Sequence, residues 1–202
     1  MARPRSDIAP RIVRAARKQF LASGVDGASL RTIARGAKTS IGMIYYYFPT
    51  KDDLFLAIVE ETYLRILGRL EAAFAGDDPV DRRLRRAFGV IGALDDEELQ
   101  VVRLVVREAL VSSTRLDRIV ERSIRGHVPL VFAAIADGVE KKQIEPSLPL
   151  PIVMMCCAGV GVVPQLMARV ARKRIPFALP EGDAFADMLV DILFRGIGKR
   201  KR

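Results

Sequence analysis

The residues best suited to recognising another molecule lie in the run from Ser40 to Lys51, SIGMIYYYFPTK, which contains no carboxylate. Gly42 lets a backbone approach closely, while Met43 and Tyr46 are adaptable or flat side chains that can touch thymine methyl groups and base edges. Tyr45, Tyr47 and Lys51 could contact phosphates through hydrogen bonds or through charge. The chemistry indicated is non-covalent contact with duplex DNA.

The three consecutive tyrosines could instead be core residues of a helix. Successive helical residues are about 100° apart, so three of them fan over about 200°, and a short helix cannot bury that whole arc. Tyr45 lies near the apolar stripe of the run and fits a core position. Tyr46 and Tyr47, with Gly42 and Met43, then lie on the opposite face, which favours contact with DNA.

Two short helices must hold this run. Ser29 can cap a first helix whose apolar residues recur at three- and four-residue steps, and Ser40 can cap a second helix that Pro49 ends. Because so few residues separate the two helices, they must cross steeply, as in a helix-turn-helix. A further helix begins at Thr50, whose hydroxyl can accept a hydrogen bond from the backbone of Asp53 in a capping box.

Several features of this segment occur together in one known family. They are the spacing of Phe20, Gly24 and Ser29, the pair Ile33 and Ala34, Ser40, Gly42, and the run from Ile44 to Lys51. With these features the segment resembles the DNA-binding domain of the TetR family of transcriptional regulators. The resemblance is close over the first quarter of the chain and extends further only through length and helical pattern. The family usually has glycine and valine in the turn, where this chain has Lys38 and Thr39.

The resemblance implies a homodimeric regulator, a repressor that reads an inverted-repeat operator and is released by a small-molecule effector. Residues 1–51 would be its DNA-binding domain, and residues 52–202 would bind the effector and dimerise. The candidate DNA contacts are Arg3, Arg5, Ser29, Arg31, Thr39, Ser40, Ile41, Gly42, Met43, Tyr45, Tyr46, Tyr47 and Lys51.

The distribution of charge also points to DNA. Residues 1–51 carry ten Lys or Arg and two Asp, a net +8, and residues 199–202 add +4, although the whole chain is only +9. An excess of positive charge concentrated in one segment indicates that this segment binds a polyanion. Arg3 and Arg5 precede the first helix and are similar to the flexible arms that enter a minor groove. The basic tail is expected to be a disordered, solubilising segment.

The rest of the chain shows helical periodicity and no alternating pattern typical of strands. We therefore expect an all-α fold of about nine helices, with a three-helix N-terminal domain and a larger C-terminal domain. After the helix at Thr50, helices are expected from residues 77–79 to 94, 95 to 112, 116 to 142 with a bend near Pro129, from Pro151 onward, and from Asp183 to Ile197.

The run from Pro151 to Met167 has Gln165 as its one polar residue. It is shorter than the ~20 residues that a bilayer needs, and Pro164 interrupts it, so a membrane span is not expected. A helix that is apolar all round must be covered, and in the family that the chain resembles the last two helices form a dimer interface. The residues expected there are Ile152, Cys156, Gly159, Val163, Met188, Leu189, Ile192 and Leu193.

The resemblance also implies a cavity for the effector among the central helices. The candidate lining residues are Phe88, Val102, Val106, Leu110, His127, Val131 and Met154, and each of them fits a plain core position equally well. No charged group stands alone on a clearly apolar face, so a lipophilic effector is favoured. Its identity stays open, as do the operator sequence and the regulated genes.

Two other classes of function have less support. An enzyme would need a nucleophile and base, metal-ligand spacing or a glycine-rich phosphate loop. The sequence has none of these, and its one histidine and the adjacent Cys156 and Cys157 favour no metal and no cofactor. A membrane-surface protein could use the basic ends and the apolar run, but no membrane partner is expected. The basic start continues directly into an amphipathic helix, which is unlike a signal peptide and indicates the cytoplasm.

Overall fold

The computed structural model describes residues 7–172 and 178–197, and within these ranges it contains ten helices and no strand. They are α1 (Ile8–Gly27), α2 (Leu30–Gly36), α3 (Ile41–Tyr47), α4 (Lys51–Phe74), α5 (Val80–Gly92), α6 (Asp96–Val111), α7 (Ser113–Ile124), α8 (His127–Glu140), α9 (Leu150–Ala171) and α10 (Gly182–Ile197). The all-α class is confirmed for this part of the chain.

The helices pack as two compact units. Among the described residues, the first unit comprises 7–65 and 95–121, and the second comprises 66–94, 122–172 and 178–197. The domain boundary expected after residue 51 lies at the start of α4, inside the first unit. α4 and α7 each contribute residues to both units.

The first unit is built around one apolar core. α1 contributes Ile12, Ala16 and Phe20, which recur every four residues on one face and have no exposed surface. Fully buried residues from the other helices of the unit pack against them, namely Ile33, Leu54, Phe55 and Ile58. Each large buried side chain contributes about 1.5–3 kcal/mol, so this core fixes α2 and α3 on α1 and the start of α4.

The core of the second unit lies among α5, α8, α9 and α10. Phe88 of α5 belongs to it, and α5 is also tied to α10, because Arg85 bonds the carboxylates of Asp187 and Asp191. Gln165 is the buried polar residue of α9, and its amide donates to the carbonyl oxygens of Phe88 at 3.0 Å and Gly161 at 2.5 Å. The amide therefore has partners inside an apolar bundle.

The long helix expected from residue 116 to residue 142 is two helices, so the expectation of one bent helix was wrong. The break lies at Gly126, whose φ of −119° and ψ of −106° are not helical. Pro129 lies in the first turn of α8. Amides in a first turn have no intrahelical acceptor, so a proline there costs no hydrogen bond and need not bend the helix.

α9 has 22 residues, so the expectation that this apolar run is too short for a membrane was wrong. By length and composition alone, the stretch Leu150–Arg169 could cross a bilayer. Such a helix is weak evidence by itself, because core helices of soluble proteins have the same properties. In the second unit α9 contacts α5, α8 and α10, and its Arg169 donates to the carbonyl oxygen of Gly92.

The close packing of α9 on α5 gives a first prediction. A methyl group at Gly161 would come within 2.8 Å of Phe88 Cδ1, and closer still to the next ring carbon. We expect Gly161→Ala to reduce the free energy of unfolding by about 1–3 kcal/mol, because the Phe88 ring must leave its packed position. Urea unfolding followed by circular dichroism measures this.

The matched control is Gly68→Ala in α4, where an added methyl group meets nothing within 4 Å. That substitution should raise stability by up to about 1 kcal/mol, since alanine is the better helix former. A Gly161→Ala protein as stable as the parent would show that Phe88 does not pack against Gly161.

Candidate nucleic-acid interface

Two serines begin the helices of the predicted helix-turn-helix. Ser29 Oγ accepts from the amide of Thr32 at 3.3 Å, and Ser40 Oγ accepts from the amide of Met43 at 3.2 Å. Each hydroxyl satisfies an amide that the helix start leaves without an intrahelical acceptor. The two predicted caps are confirmed, and they fix where α2 and α3 begin.

The turn between α2 and α3 is tight and locally strained. Thr39 N–H donates to the carbonyl oxygen of Ala34 at 3.0 Å, which closes the end of α2. Lys38 precedes it with a φ of 52°, in the left-handed region. That conformation costs a residue with a β-carbon about 1–2 kcal/mol. A glycine in place of Lys38 would adopt this φ without strain.

α3 has an inner face and an outer face. Ile44 is enclosed in the core of the first unit, and Tyr47 packs partly against that core. Tyr45 and Tyr46 are 52% and 76% exposed. The expectation that Tyr45 is the tyrosine on the core side was wrong. Tyr47 takes that place because it follows Ile44 by three residues and so shares its face of the helix.

The outer surface of α3 is apolar and aromatic. Ile41, Gly42, Tyr45 and Tyr46 are exposed, and we call them the reading face. Met43 is half-buried. The Tyr46 ring meets the Tyr47 ring edge to face, with centroids 5.2 Å apart, which limits the directions in which Tyr46 can point.

The start of α4 lies next in the chain. Thr50 Oγ1 accepts from the amide of Asp53 at 3.0 Å and Asp53 Oδ2 accepts from the amide of Thr50 at 3.1 Å, which confirms the predicted capping box. Lys51 Nζ donates to the carbonyl oxygen of Asp26 at 2.9 Å. An ammonium has three donors, so Lys51 can still reach a phosphate while bound to the end of α1.

A cluster of ion pairs around one buried arginine supports this arrangement, and no sequence motif indicated it. We call it the Arg115 cluster. The guanidinium of Arg115, which is 5% exposed, donates to Glu108 Oε2 at 2.7 Å, Asp52 Oδ1 at 2.9 Å and Asp26 Oδ1 at 2.5 Å. The hydrogen bond from Arg115 holds the pKa of Asp26 below its usual value. α1, α4, α6 and α7 meet at this one side chain.

The same cluster accounts for a break in α1. Gly24 has a φ of 77°, which interrupts the helix. Glu108 Oε1 accepts from the amide of Val25 at 3.3 Å, so the carboxylate replaces the acceptor that the break removes. Since Glu108 is 83 residues from Val25 in sequence, no local pattern could have indicated this contact.

Of the remaining predicted DNA contacts, two lie within the described residues and two lie outside them. Arg31 is exposed on the first turn of α2, and Thr39 is half-buried in the turn. Arg3 and Arg5 lie outside the described residues, as does the basic tail.

The predicted effector residues are divided between the two units. Val102, Val106 and Leu110 belong to the first, and Val106 and Leu110 are exposed there. The second unit holds the others, and its core includes Phe88, Val131 and Met154. His127 is half-buried at the start of α8, and burial lowers the pKa of its imidazole, which is therefore neutral at pH 7. The seven residues do not gather within either unit.

Most of the predicted interface residues are exposed. They form an apolar stripe along α9 and α10, together with two methionines that the sequence analysis did not include. The members of the stripe are Ile152, Met155, Cys156, Gly159, Val163, Met167, Met188 and Ile192. Leu189 and Leu193 instead lie in the core of the second unit. Of the two adjacent cysteines, Cys156 is exposed and Cys157 is buried.

Comparison with known proteins connects this geometry to a family. Residues 12–58 match the model of bacterial regulatory proteins of the tetR family. The chain is 30% identical over 189 residues to the HTH-type transcriptional repressor SCO4008 of Streptomyces coelicolor, and the match covers 90% of this chain and 88% of that protein.

Solved structures have the same fold. The fatty acid degradation regulator FadR of Bacillus halodurans superposes with a TM-score of 0.74 at 19% identity, over 96% of this chain and 98% of that one. FadR of Bacillus subtilis, solved in complex with stearoyl-CoA, gives a TM-score of 0.72 at 18% identity, over 93% of this chain and 98% of that one. Identities this low support similarity of fold alone.

The strained turn gives a second prediction. We expect Lys38→Gly to raise the free energy of unfolding by about 1 kcal/mol, because glycine adopts a positive φ without strain. The same substitution removes a cation from the turn, so DNA affinity should fall, and most at low salt where charges are least screened. Thermal unfolding and a gel mobility shift measure the two effects.

Lys142 provides a matched control, because it also has a positive φ, 58°, but follows α8 in the second unit. Lys142→Gly should stabilise the protein similarly and leave DNA affinity unchanged. Lower stability of Lys38→Gly with unchanged DNA affinity would contradict both parts of the prediction.

Proposed function

We propose that this chain, which belongs to the TetR family of bacterial transcriptional regulators, is a homodimeric repressor that reads an inverted-repeat operator and releases it when a small molecule binds. The proposal rests above all on the reading face, which exposes Tyr45 and Tyr46 on a capped helix whose opposite side is buried. The family and its relatives are transcriptional regulators and not enzymes.

The reading face would contact base edges, and its neighbours would contact phosphates. Tyr46 and the methyl groups of Ile41 offer apolar contact to thymine methyl groups, and the tyrosine hydroxyl adds a hydrogen bond. Gly42 permits a close approach of the helix. Arg31 and Lys51 flank this surface as cations, and phosphate contacts of this kind set the register of the protein on the duplex.

The apolar stripe on α9 and α10 supports a dimer of two such chains. Exposed apolar side chains gathered on two neighbouring helices are uncommon on a monomer and indicate an interaction site. Small residues such as Gly159 let a second helix approach closely. A two-fold dimer carries two equivalent reading faces, so its DNA site would be an inverted repeat with half-sites ~34 Å apart.

The effector is proposed to be a lipophilic small molecule. Of the candidate lining residues, Phe88, Val131 and Met154 pack together in the second unit and are all apolar. The Bacillus subtilis structural neighbour is solved with stearoyl-CoA, an amphipathic ligand whose long acyl chain is lipophilic. Release of DNA requires the ligand to favour the DNA-incompetent state, and a tenfold loss of operator affinity needs ~1.4 kcal/mol of coupling. Such a regulator would act in the cytoplasm, where the chromosome lies.

DNA binding by the reading face is the third prediction. The probe is a duplex selected by the protein from a randomised pool. If the dimer neutralises about six to ten phosphates, affinity should fall roughly a thousandfold or more between 50 and 200 mM salt. Tyr46→Ala should cost about 1–3 kcal/mol on the selected duplex and little on random duplexes, which relaxes specificity.

Arg31→Ala serves as the contrasting variant. It should weaken binding to selected and random duplexes alike and reduce the salt slope by about one for each phosphate that the arginine no longer neutralises. Equal losses from Tyr46→Ala and Arg31→Ala on every duplex would contradict the assignment of base reading to α3. If the parent protein selects no sequence from the pool, the proposed function is contradicted.

The dimer is the fourth prediction. Ile192→Glu places a carboxylate in the apolar stripe, where it would be buried without a partner in the dimer. We expect this variant to be monomeric by light scattering and to lose most of its affinity for the inverted repeat. Leu64→Glu, at a similarly exposed residue of α4, should remain a dimer. An unchanged dimer with Ile192→Glu would place the interface elsewhere.

A further inference from the structure

A basic groove lies in the first unit between α1 and α2. It has a volume of about 610 Å³, and α1, α2 and the turn that follows α2 form its walls. Its floor is made of the small residues Ala15 and Gly36. A methyl group added at Gly36 would lie 3.3 Å from Ala15 Cβ. The two helices therefore approach closely at the floor and leave an open channel above it.

Cations line this groove and no carboxylate does. The five basic residues are Arg11, Arg14, Lys18, Arg35 and Lys38. Three of them belong to α1 at spacings of three and four residues, which places them on one face of the helix. Arg35 comes from the last turn of α2, and Lys38 comes from the strained turn. We call these five residues the groove cations.

The groove cations differ from the other arginine of the same part of α1. Arg17 is bridged by the carboxylates of Glu61 and Glu97, so its charge is neutralised within the first unit. Of the groove cations, Arg11 pairs with Asp7 at 3.4 Å. The other four have no ion pair among the residues that the structure describes. Like charges gathered without acids repel one another, and such a surface is suited to a polyanion.

The groove is separate from the reading face. None of its lining residues belongs to α3. Lys38 joins the two regions, since it lines the groove and precedes the cap of α3 by two residues. A phosphate held in the groove would therefore contact α1, α2 or the turn, and not α3. Duplex DNA carries one charge per ~1.7 Å of its axis, which supplies enough phosphates for several cations at once.

We propose that the groove between α1 and α2 binds the phosphate backbone of DNA that flanks the half-site read by α3. This inference rests on the proposed function, because it needs a duplex already held by the reading face. The groove would increase affinity for DNA to an extent that depends on duplex length and salt concentration. It would not contribute to sequence specificity. Binding of each half-site then extends beyond the base pairs that the protein specifies.

The experiment compares two duplexes and two double variants. One duplex is the site selected from the randomised pool, trimmed to its specified base pairs, and the other carries about ten further base pairs of random sequence at each end, roughly one helical turn. The test variant is Arg14→Gln with Lys18→Gln, which leaves the helix-turn-helix unchanged. The control variant is Arg82→Gln with Lys142→Gln, two exposed cations of the second unit. Affinity is measured at about 50 to 200 mM salt.

On the extended duplex, we expect the test variant to bind about ten- to a hundredfold more weakly than the parent at 50 mM salt. Its salt slope should be smaller by about two to four, since the dimer neutralises up to about four fewer phosphates and each contributes about 0.9. On the trimmed duplex the test variant and the parent should bind equally. The control variant should match the parent on both duplexes.

Two results would overturn the inference. One is equal binding of the test variant and the parent to the extended duplex, and the other is an equal loss on both duplexes. In either case the parent still binds its selected site, so the proposed function stands and only the groove assignment fails. Failure of the parent itself to bind the trimmed duplex would instead remove the proposed function and the inference together.

Discussion

One guanidinium organises the first unit. Arg115 is buried with Glu108, and it also holds the carboxylates of Asp26 and Asp52. A buried ion pair adds little net stability, but removing one partner leaves an uncompensated charge and costs about 3–5 kcal/mol. The pair of Arg118 and Asp53 is only half-buried, so it resembles surface pairs, which contribute about 0–1 kcal/mol. The buried pair of Arg115 and Glu108 therefore matters more for where the helices meet.

The position of the reading face depends on this cluster. Asp26 lies near the end of α1 and Asp52 in the first turn of α4, so Arg115 fixes the two segments on either side of the helix-turn-helix. Lys51 adds a second link, because its ammonium bonds the backbone of Asp26. α4 and α7 both continue into the second unit, and the cluster joins them at Asp52 and Arg115.

Local signals in the sequence were sufficient for the caps and for the helix-turn-helix. Ser29, Ser40 and Thr50 act within three residues, so their contacts can be inferred from spacing alone. The break at Gly126 was missed because proline is the stronger breaker inside a helix, whereas Pro129 lies in a first turn where it is tolerated. The Arg115 cluster could not be predicted, since it joins residues up to 89 positions apart. Charge counting found the basic first quarter, but only the packing of α1 on α2 gathers its cations in a groove.

The central claim is that the outer face of α3 touches DNA bases, and a photo-cross-link tests it most directly. An azido-phenylalanine in place of Tyr46 keeps the ring and the exposure of the side chain. The same group in place of Phe132, an exposed ring of α8 in the second unit, is the control. On the selected duplex we expect base adducts from the first protein, at symmetric positions in both half-sites, and none from the second. Adducts from neither protein, or equally from both, while the duplex is bound would contradict the account.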